Sequence, residues 1–411
     1  MSPQDTEKPL TSSLESRITR VGEQLGSSFG AVLAALPMGQ QGPQLLAKGL
    51  GLDKVLTSRL LKALRRPDPM SVLHSIPGPE PLRRFVRAAR RQGVERALLD
   101  DASAAVGAFE QLIKSDVGDR SALGAIISAW LPEAREEFEL RRKQAAYKAL
   151  SQLKGMSAEM NLSAVILHPN PDGETIDVVW LIGHLGLSRL RPGVTAKFAT
   201  RRMVADDAER RPTTLSGEPI EGLDSAPFEE LCILPPARLD TQRYGDVVHY
   251  TLAGEEYGPR SAVDLLFAEV NLGEVPRFVP AGSGRKGYVF SEVSVPCRTL
   301  VLDVLVHDDI YPGSEPELAI YDTALNGVAN LNERARDIDR LDMVESVQNM
   351  GRGTANLRIA EVPRHVDAVR HVYSEMGWEE TQFRSYRCRV EFPIYGSQVS
   401  VAFEPPHSPG A

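Results

Sequence analysis

Residues 44–64 read QLLAKGLGLDKVLTSRLLKAL, a pattern that predicts a helix, a tight turn and a second helix. Ala47 is small where the two helices would cross closely. Gly51 sits at the turn, where a left-handed backbone is easiest for glycine. Asp53 opens the second helix as an N-cap, its carboxylate accepting an orphan backbone N–H. Thr57, Leu60, Leu61 and Leu64 then form one stripe at helical spacing, the side that would be buried. The opposite side offers Lys54, Ser58, Arg59, Lys62 and Arg65, residue types that bond phosphates and base edges. An ordinary αα-hairpin also favours glycine in its turn, so the pattern by itself admits both readings.

The surrounding charge bears on that choice. Between Lys48 and Arg96 lie twelve basic and four acidic residues, a net of +8. The whole chain carries −8, so the remainder sums to −16. A basic island on an acidic chain is the electrostatic footprint of a polyanion-binding surface. Solvated helix faces account for part of it, since Arg83, Arg84, Arg87, Arg90 and Arg91 fall on one amphipathic helix.

Ala47, Gly51, Leu52, Thr57, Leu60 and the Ser58-Arg59 pair resemble the helix-turn-helix of bacterial transcription regulators, the winged kind included. The four-residue step from Ala47 to Gly51 keeps the family's tightest constraint. Thr57 stands where the family usually has a larger aliphatic. The resemblance covers about twenty of the 411 residues. It implies that Lys54, Val55, Ser58, Arg59 and Lys62 face the major groove of double-stranded DNA, while Gln44, Lys48, Arg65 and Arg66 hold phosphates. It also implies a homodimer, because one recognition helix reads too few base pairs for useful specificity.

Upstream, Leu10, Leu14, Ile18, Val21, Leu25, Phe29, Val32 and Leu36 recur at steps of three and four. They predict an amphipathic helix of about 27 residues, ended by Pro37 and Gly39. Its length exceeds what a small DNA-binding domain needs, so its stripe would pack either on a second subunit or along its own chain. Downstream, residues 71–76 lie between prolines and read as a short extended piece, the place of a wing. Helices are expected at 81–92, 94–115, 121–130 and 132–154, the last stopped by Gly155. That last helix reads as a connector and a candidate dimer helix.

The character changes after about residue 158. Strands are expected at 163–168, 177–185, 194–199, 230–234, 246–252, 287–295, 299–306, 386–392 and 398–403. Two helices interrupt them, 326–348 (carrying Val328, Leu331, Ile338, Leu341 and Val344) and 363–376. The reading is a multidomain α+β chain, a helical (winged) helix-turn-helix half followed by a mixed-sheet α/β domain. Its expected parts are a helix-turn-helix domain over 10–78, a helical linker or dimerisation region over 79–157, and an effector-binding or oligomerisation domain over 158–405.

Composition fits such a protein. Hydrophobic content of 42% and charged content of 25% are ordinary for a globular chain. No apolar run approaches the roughly 18 residues that span a bilayer, and the first ten residues carry no signal-peptide core. Cys232, Cys297 and Cys388 are widely spaced and odd in number, neither a disulfide framework nor a zinc pattern. They read as small buried side chains in a reducing, cytoplasmic setting.

Candidate chemistry in the second half is sparse. Asp303, His307, Asp308 and Asp309, with Glu315 and Glu317 nearby, would suit a divalent metal or acid–base work, or simply a polar strand exit. The run 282–287, GSGRKG, has two bases but precedes a strand instead of opening a helix, so it reads as a flexible loop. His365 and His371 are six apart on a helix, face different sides and read as surface residues. His168, His184 and His249 read as structural, and Trp130, Trp180 and Trp378 as core. No catalytic, cofactor or metal residue is assigned. The expected function is a cytoplasmic DNA-binding regulator, possible small-molecule effector included, with no membrane partner. Two alternatives stay open: an enzyme in the second half, or an interaction protein using its basic helices.

Overall fold

The computed structural model describes residues 13–39, 41–202, 212–220, 239–244, 247–252 and 256–408. The chain divides into two compact units, residues 1–139 and 140–411.

The first unit is helical throughout its described residues: α1 (Leu14–Ala35), α2 (Pro43–Leu50), α3 (Lys54–Leu64), α4 (Pro69–Ser75), α5 (Pro79–Arg91), α6 (Arg96–Gln111) with a π-helical turn (Leu112–Val117), and α7 (Arg120–Ser128). α8 (Pro132–Lys154) runs across the boundary into the second unit. One apolar core runs from Ile18 to Ile127 without a break near residue 78. Its centre is the Phe29–Phe85 ring pair, 5.7 Å between centroids.

α1 begins at Ser13, whose hydroxyl accepts from the Ser16 N–H at 3.2 Å. Its stripe Ile18, Val21, Leu25, Phe29 and Val32 is buried within this unit, against α4 and α6. The stripe therefore packs along its own chain and is not a free dimer face. α1 and α4 cross at Gly22, where a Cβ would overlap the Pro69 carbonyl oxygen.

The wing expected at 71–76 is helix α4. Asp68 caps it, accepting from the Ser71 N–H at 2.8 Å, and Pro69 takes the first helical position, where no N–H is needed. The prolines that suggested an extended piece are a helix start. No strand, and so no wing, lies among the described residues of the first unit.

α2 ends on Gly51 at φ +62°, and the Leu52 N–H closes back to the Ala47 carbonyl at 2.9 Å. Nothing lies within 4 Å of where a Gly51 Cβ would sit, so a side chain there is opposed by the backbone conformation alone. Gly51→Val puts a β-branched residue into that left-handed region and will lower the stability of the helical unit by about 1–3 kcal/mol. Melting followed at 222 nm checks this; an unchanged transition would mean the turn accepts a β-branched residue.

The second unit is a layered sheet structure. Its strands are β1 (Met156–Pro169), β2 (Thr175–Arg189), β3 (Ala196–Arg202), β4 (Leu239–Tyr244), β5 (Val247–Leu252), β6 (Val263–Pro276), β7 (Gly287–Glu292), β8 (Cys297–His307), β9 (Glu317–Asp322), β10 (Arg340–Leu341), β11 (Val347–Arg352), β12 (Phe383–Glu391) and β13 (Ser397–Phe403). The main sheet runs β11-β12-β8-β1-β2-β6, with β1 and β8 parallel and the other neighbours antiparallel. A four-stranded sheet, β10-β9-β13-β7, and a three-stranded one, β3-β5-β4, accompany it.

β8 shows how the sequence builds the layers. Leu300, Leu302, Val304 and Val306 belong to the core shared with the smaller sheets. Val301 and Leu305 belong to the core on the opposite face, under α9 (His365–Met376), which contributes Val366, Val369 and Val372. A strand covered on both faces reads as a continuous apolar run, not an alternation.

The helix expected at 326–348 is absent. That segment forms a loop, a 3-10 turn (Arg334–Asp339), β10 and the start of β11. Ile338 is 87% exposed, so the helical spacing of apolar residues there was accidental. Arg336 holds the loop instead, donating to the carbonyls of Gly327 and Val328, both at 2.9 Å. The strand expected at 230–234 lies outside the described residues.

Candidate nucleic-acid interface

α2 and α3 are locked in their crossing by buried residues. Ala47, Leu46 and Leu50 of α2 meet the side of α3 that buries Leu56, Thr57, Leu60, Leu61 and Ala63. Asp53 starts α3, its Oδ1 accepting the Val55 N–H at 2.5 Å and the Leu56 N–H at 3.4 Å. Thr57 is fully buried, and its hydroxyl donates to the Pro43 carbonyl at 2.9 Å. A hydroxyl tie between the helices thus stands where a larger aliphatic was expected.

With that side buried, the other faces solvent. Lys54, Val55, Ser58, Arg59 and Lys62 are all exposed on α3, and Arg65 and Arg66 are exposed at its end. Gln44 and Lys48, one turn apart, are exposed on α2. Val55 is 66% exposed, an apolar side chain among cations. Leu45, half-exposed beside Gln44, was not singled out by the sequence.

The cations of this region differ in their partners. On α5, Arg83 pairs with Glu110 of α6, and Arg87 with Glu80 at 2.9 Å. Among the described residues, Lys48, Lys54, Arg59, Lys62, Arg65 and Arg66 have no carboxylate within salt-bridge distance. Among the described residues, the cations of the island without an ion pair therefore lie on α2, at α3 and its end, and at Arg84, Arg90 and Arg91 of α5.

Arg120 gives this surface a rigid back, and no sequence signal pointed to it. Its guanidinium donates to the carbonyls of Leu73 at 2.8 Å and His74 at 2.7 Å, tying α7 to the end of α4. It also lies over the Phe109 ring, 5.4 Å from the centroid. Burial, and then the charge of Arg59, lower its pKa to about 10.

The second unit resolves the other candidates differently. Asp303 does not join His307, Asp308 and Asp309. It is fully buried, gripped by Arg387 (Nε to Oδ1 2.6 Å, Nη2 to Oδ2 2.7 Å) and by His365 Nε2 at 2.6 Å. His365, read as a surface residue, opens α9 and is 1% exposed. Arg387 completes the cluster through the Leu357 carbonyl at 2.8 Å.

His307 donates to Gln382 at 3.4 Å and accepts the Asp309 N–H at 3.2 Å, while Asp308 pairs with Arg352 at 2.5 Å. Glu317 pairs with Lys286 and with Arg340. Among the described residues no group of three or more His, Cys, Asp or Glu is placed to hold a metal ion. His168 stacks on Trp378, 4.5 Å between centroids. Of the tryptophans read as core, Trp180 and Trp378 are partly buried against cores and Trp130 is 40% exposed. Burial pushes the thiols of Cys297 and Cys388 up to about 12, as expected of small apolar side chains, and Cys232 lies outside the described residues.

Among the described residues no helix is long and apolar enough to cross a membrane. No protein-family model, no curated protein and no solved structure matches this chain.

Proposed function

We propose that this protein is a DNA-binding transcription regulator whose reading head is α2, Gly51 and α3, with the sheet unit as a sensing or oligomerisation module. The observation that carries this reading is the exposed side of α3. It offers Lys54, Ser58, Arg59 and Lys62 on a helix anchored by its opposite side, with no carboxylate among the described residues within salt-bridge distance of the cations. Arg59 and Lys62 reach base edges, and Gln44, Lys48, Arg65 and Arg66 hold phosphates. Specific reading calls for two such helices about 34 Å apart, hence a homodimer. Its interface lies outside the α1 stripe.

Fluorescence anisotropy on duplexes selected from a random pool tests the reading. Arg59→Ala will weaken the selected duplex by about 1–3 kcal/mol and random duplexes far less. Lys48→Ala will weaken both alike and reduce the slope of log affinity against log salt by about one. If both variants bind selected and random duplexes as the wild type does, α3 is not the reading head.

A further inference from the structure

Two hollows lie side by side between the main sheet and the smaller sheets of the second unit. The larger, about 450 Å³, is walled by Leu167, Val178, Trp180, Phe278 and Phe290, with Arg285 and Lys286 also in its lining. The smaller, about 260 Å³, shares Trp180 and Phe290 and adds His184, Ser163 and Ser291. Together they offer an aromatic middle with different polar chemistry at either end.

At the larger end, the loop that the sequence presented as flexible is fastened. Asn332 bonds both backbone groups of Lys286, accepting its N–H at 2.7 Å and donating to its carbonyl at 3.0 Å. The Lys286 ammonium is already paired with Glu317. Arg285 is exposed and has no carboxylate partner among the described residues. A cation on a fastened loop beside an apolar hollow suits a carboxylate attached to an apolar body.

At the smaller end, His184 is more than nine-tenths buried. Its Nε2 lies 3.2 Å from the Phe198 carbonyl oxygen. A carbonyl only accepts, so Nε2 carries the proton and Nδ1 is left as an acceptor. That Nδ1 is buried without a hydrogen-bond partner. Burial lowers the pKa of the ring to about 4, so it stays neutral near pH 7. A buried acceptor of this kind calls for an O–H or N–H donor.

We propose that the two hollows form one site for a small planar hydroxy-carboxylate. Its carboxylate meets Arg285, its ring lies against Trp180 and Phe290, and its hydroxyl donates to His184 Nδ1. Binding at this site does not depend on α3 reading DNA; only the ligand's role as an effector rests on that reading.

Calorimetry on the full chain tests the site with three probes: 4-hydroxycinnamate, its 4-methoxy analogue and its methyl ester. The first will bind, and the other two will each bind about tenfold more weakly, because one lacks the donor and the other the charge. Arg285→Ala, an exposed change, will bring the acid and its ester to equal affinity. His184→Leu will do the same for the hydroxyl and methoxy compounds. Should that variant fail to fold, the wild-type comparison of those two compounds still decides the point. No heat of binding at 1 mM probe, or affinities within twofold across the three, would overturn the proposal. So would an acid preference that survives Arg285→Ala. Binding with no change in DNA affinity would leave the site standing and remove only its role as an effector site.

Discussion

Asp303→Ala will destabilise the sheet unit by about 3–5 kcal/mol, because it leaves Arg387 charged and His365 unpaired in a space closed to water. The carboxylate has no exposed surface, and three of its contacts are 2.6–2.7 Å long. Its position explains the size of the effect. β8 is central in the main sheet, and Asp303 faces α9 between Val301 and Leu305. The cluster therefore pins strand β8, strand β12 and helix α9 at one point. Removing all three polar groups together, by Asp303→Leu, His365→Leu and Arg387→Met, will recover much of the loss, since a matched apolar set needs no compensation. Urea unfolding of the single and triple variants measures both. An Asp303→Ala transition within about 1 kcal/mol of wild type would show that the cluster stays satisfied without its carboxylate.

Ile18→Asp will unfold the helical unit, at a cost of more than about 4 kcal/mol, instead of dissociating a dimer. Ile18 has no exposed surface, and Leu25, Phe29 and Val32 continue its stripe into the same core. A carboxylate placed there loses its hydration among apolar side chains. The sheet unit has separate cores and will keep its own transition. Calorimetric scanning of the full chain should therefore show one transition lost and one retained. Sedimentation adds the second readout. A folded Ile18→Asp protein that has merely become monomeric would restore the α1 stripe as an interface and overturn the packing argument.

The helices up to Gly155 were legible because their punctuation is local. Asp53, Gly51 and Gly155 each sit within four residues of the helix end they mark, and each does so in the structure. Residues 71–76 were misread because Pro69 serves equally as a strand flank and a helix start, and the deciding bond from Asp68 is visible only in three dimensions. The segment 326–348 failed for the opposite reason. Its spacing was helical, but Gly327, Asn330 and Asn332 made their bonds to loop groups and left Ile338 in solvent. β6 had been within reach: Val263, Leu265 and Phe267 face one core, and Leu266, Ala268 and Val270 the other. The cluster around Asp303 had no such signal. Its partners stand 62 and 84 residues away in sequence, so no local pattern joins them.

The parallel pairing of β1 with β8 also sets a timetable. Met156 opens the first strand and Cys297 the second, with six other paired strands between them among the described residues. During synthesis at about 5–20 residues per second, the edge of β1 that β8 will cover stays open for on the order of ten seconds. An uncovered apolar strand edge is a template for pairing with another molecule. Nascent chains of this protein therefore pass through a window in which neighbouring ribosomes on one message present each other with the same unfinished edge, and a chaperone that shields extended strands has its work concentrated there.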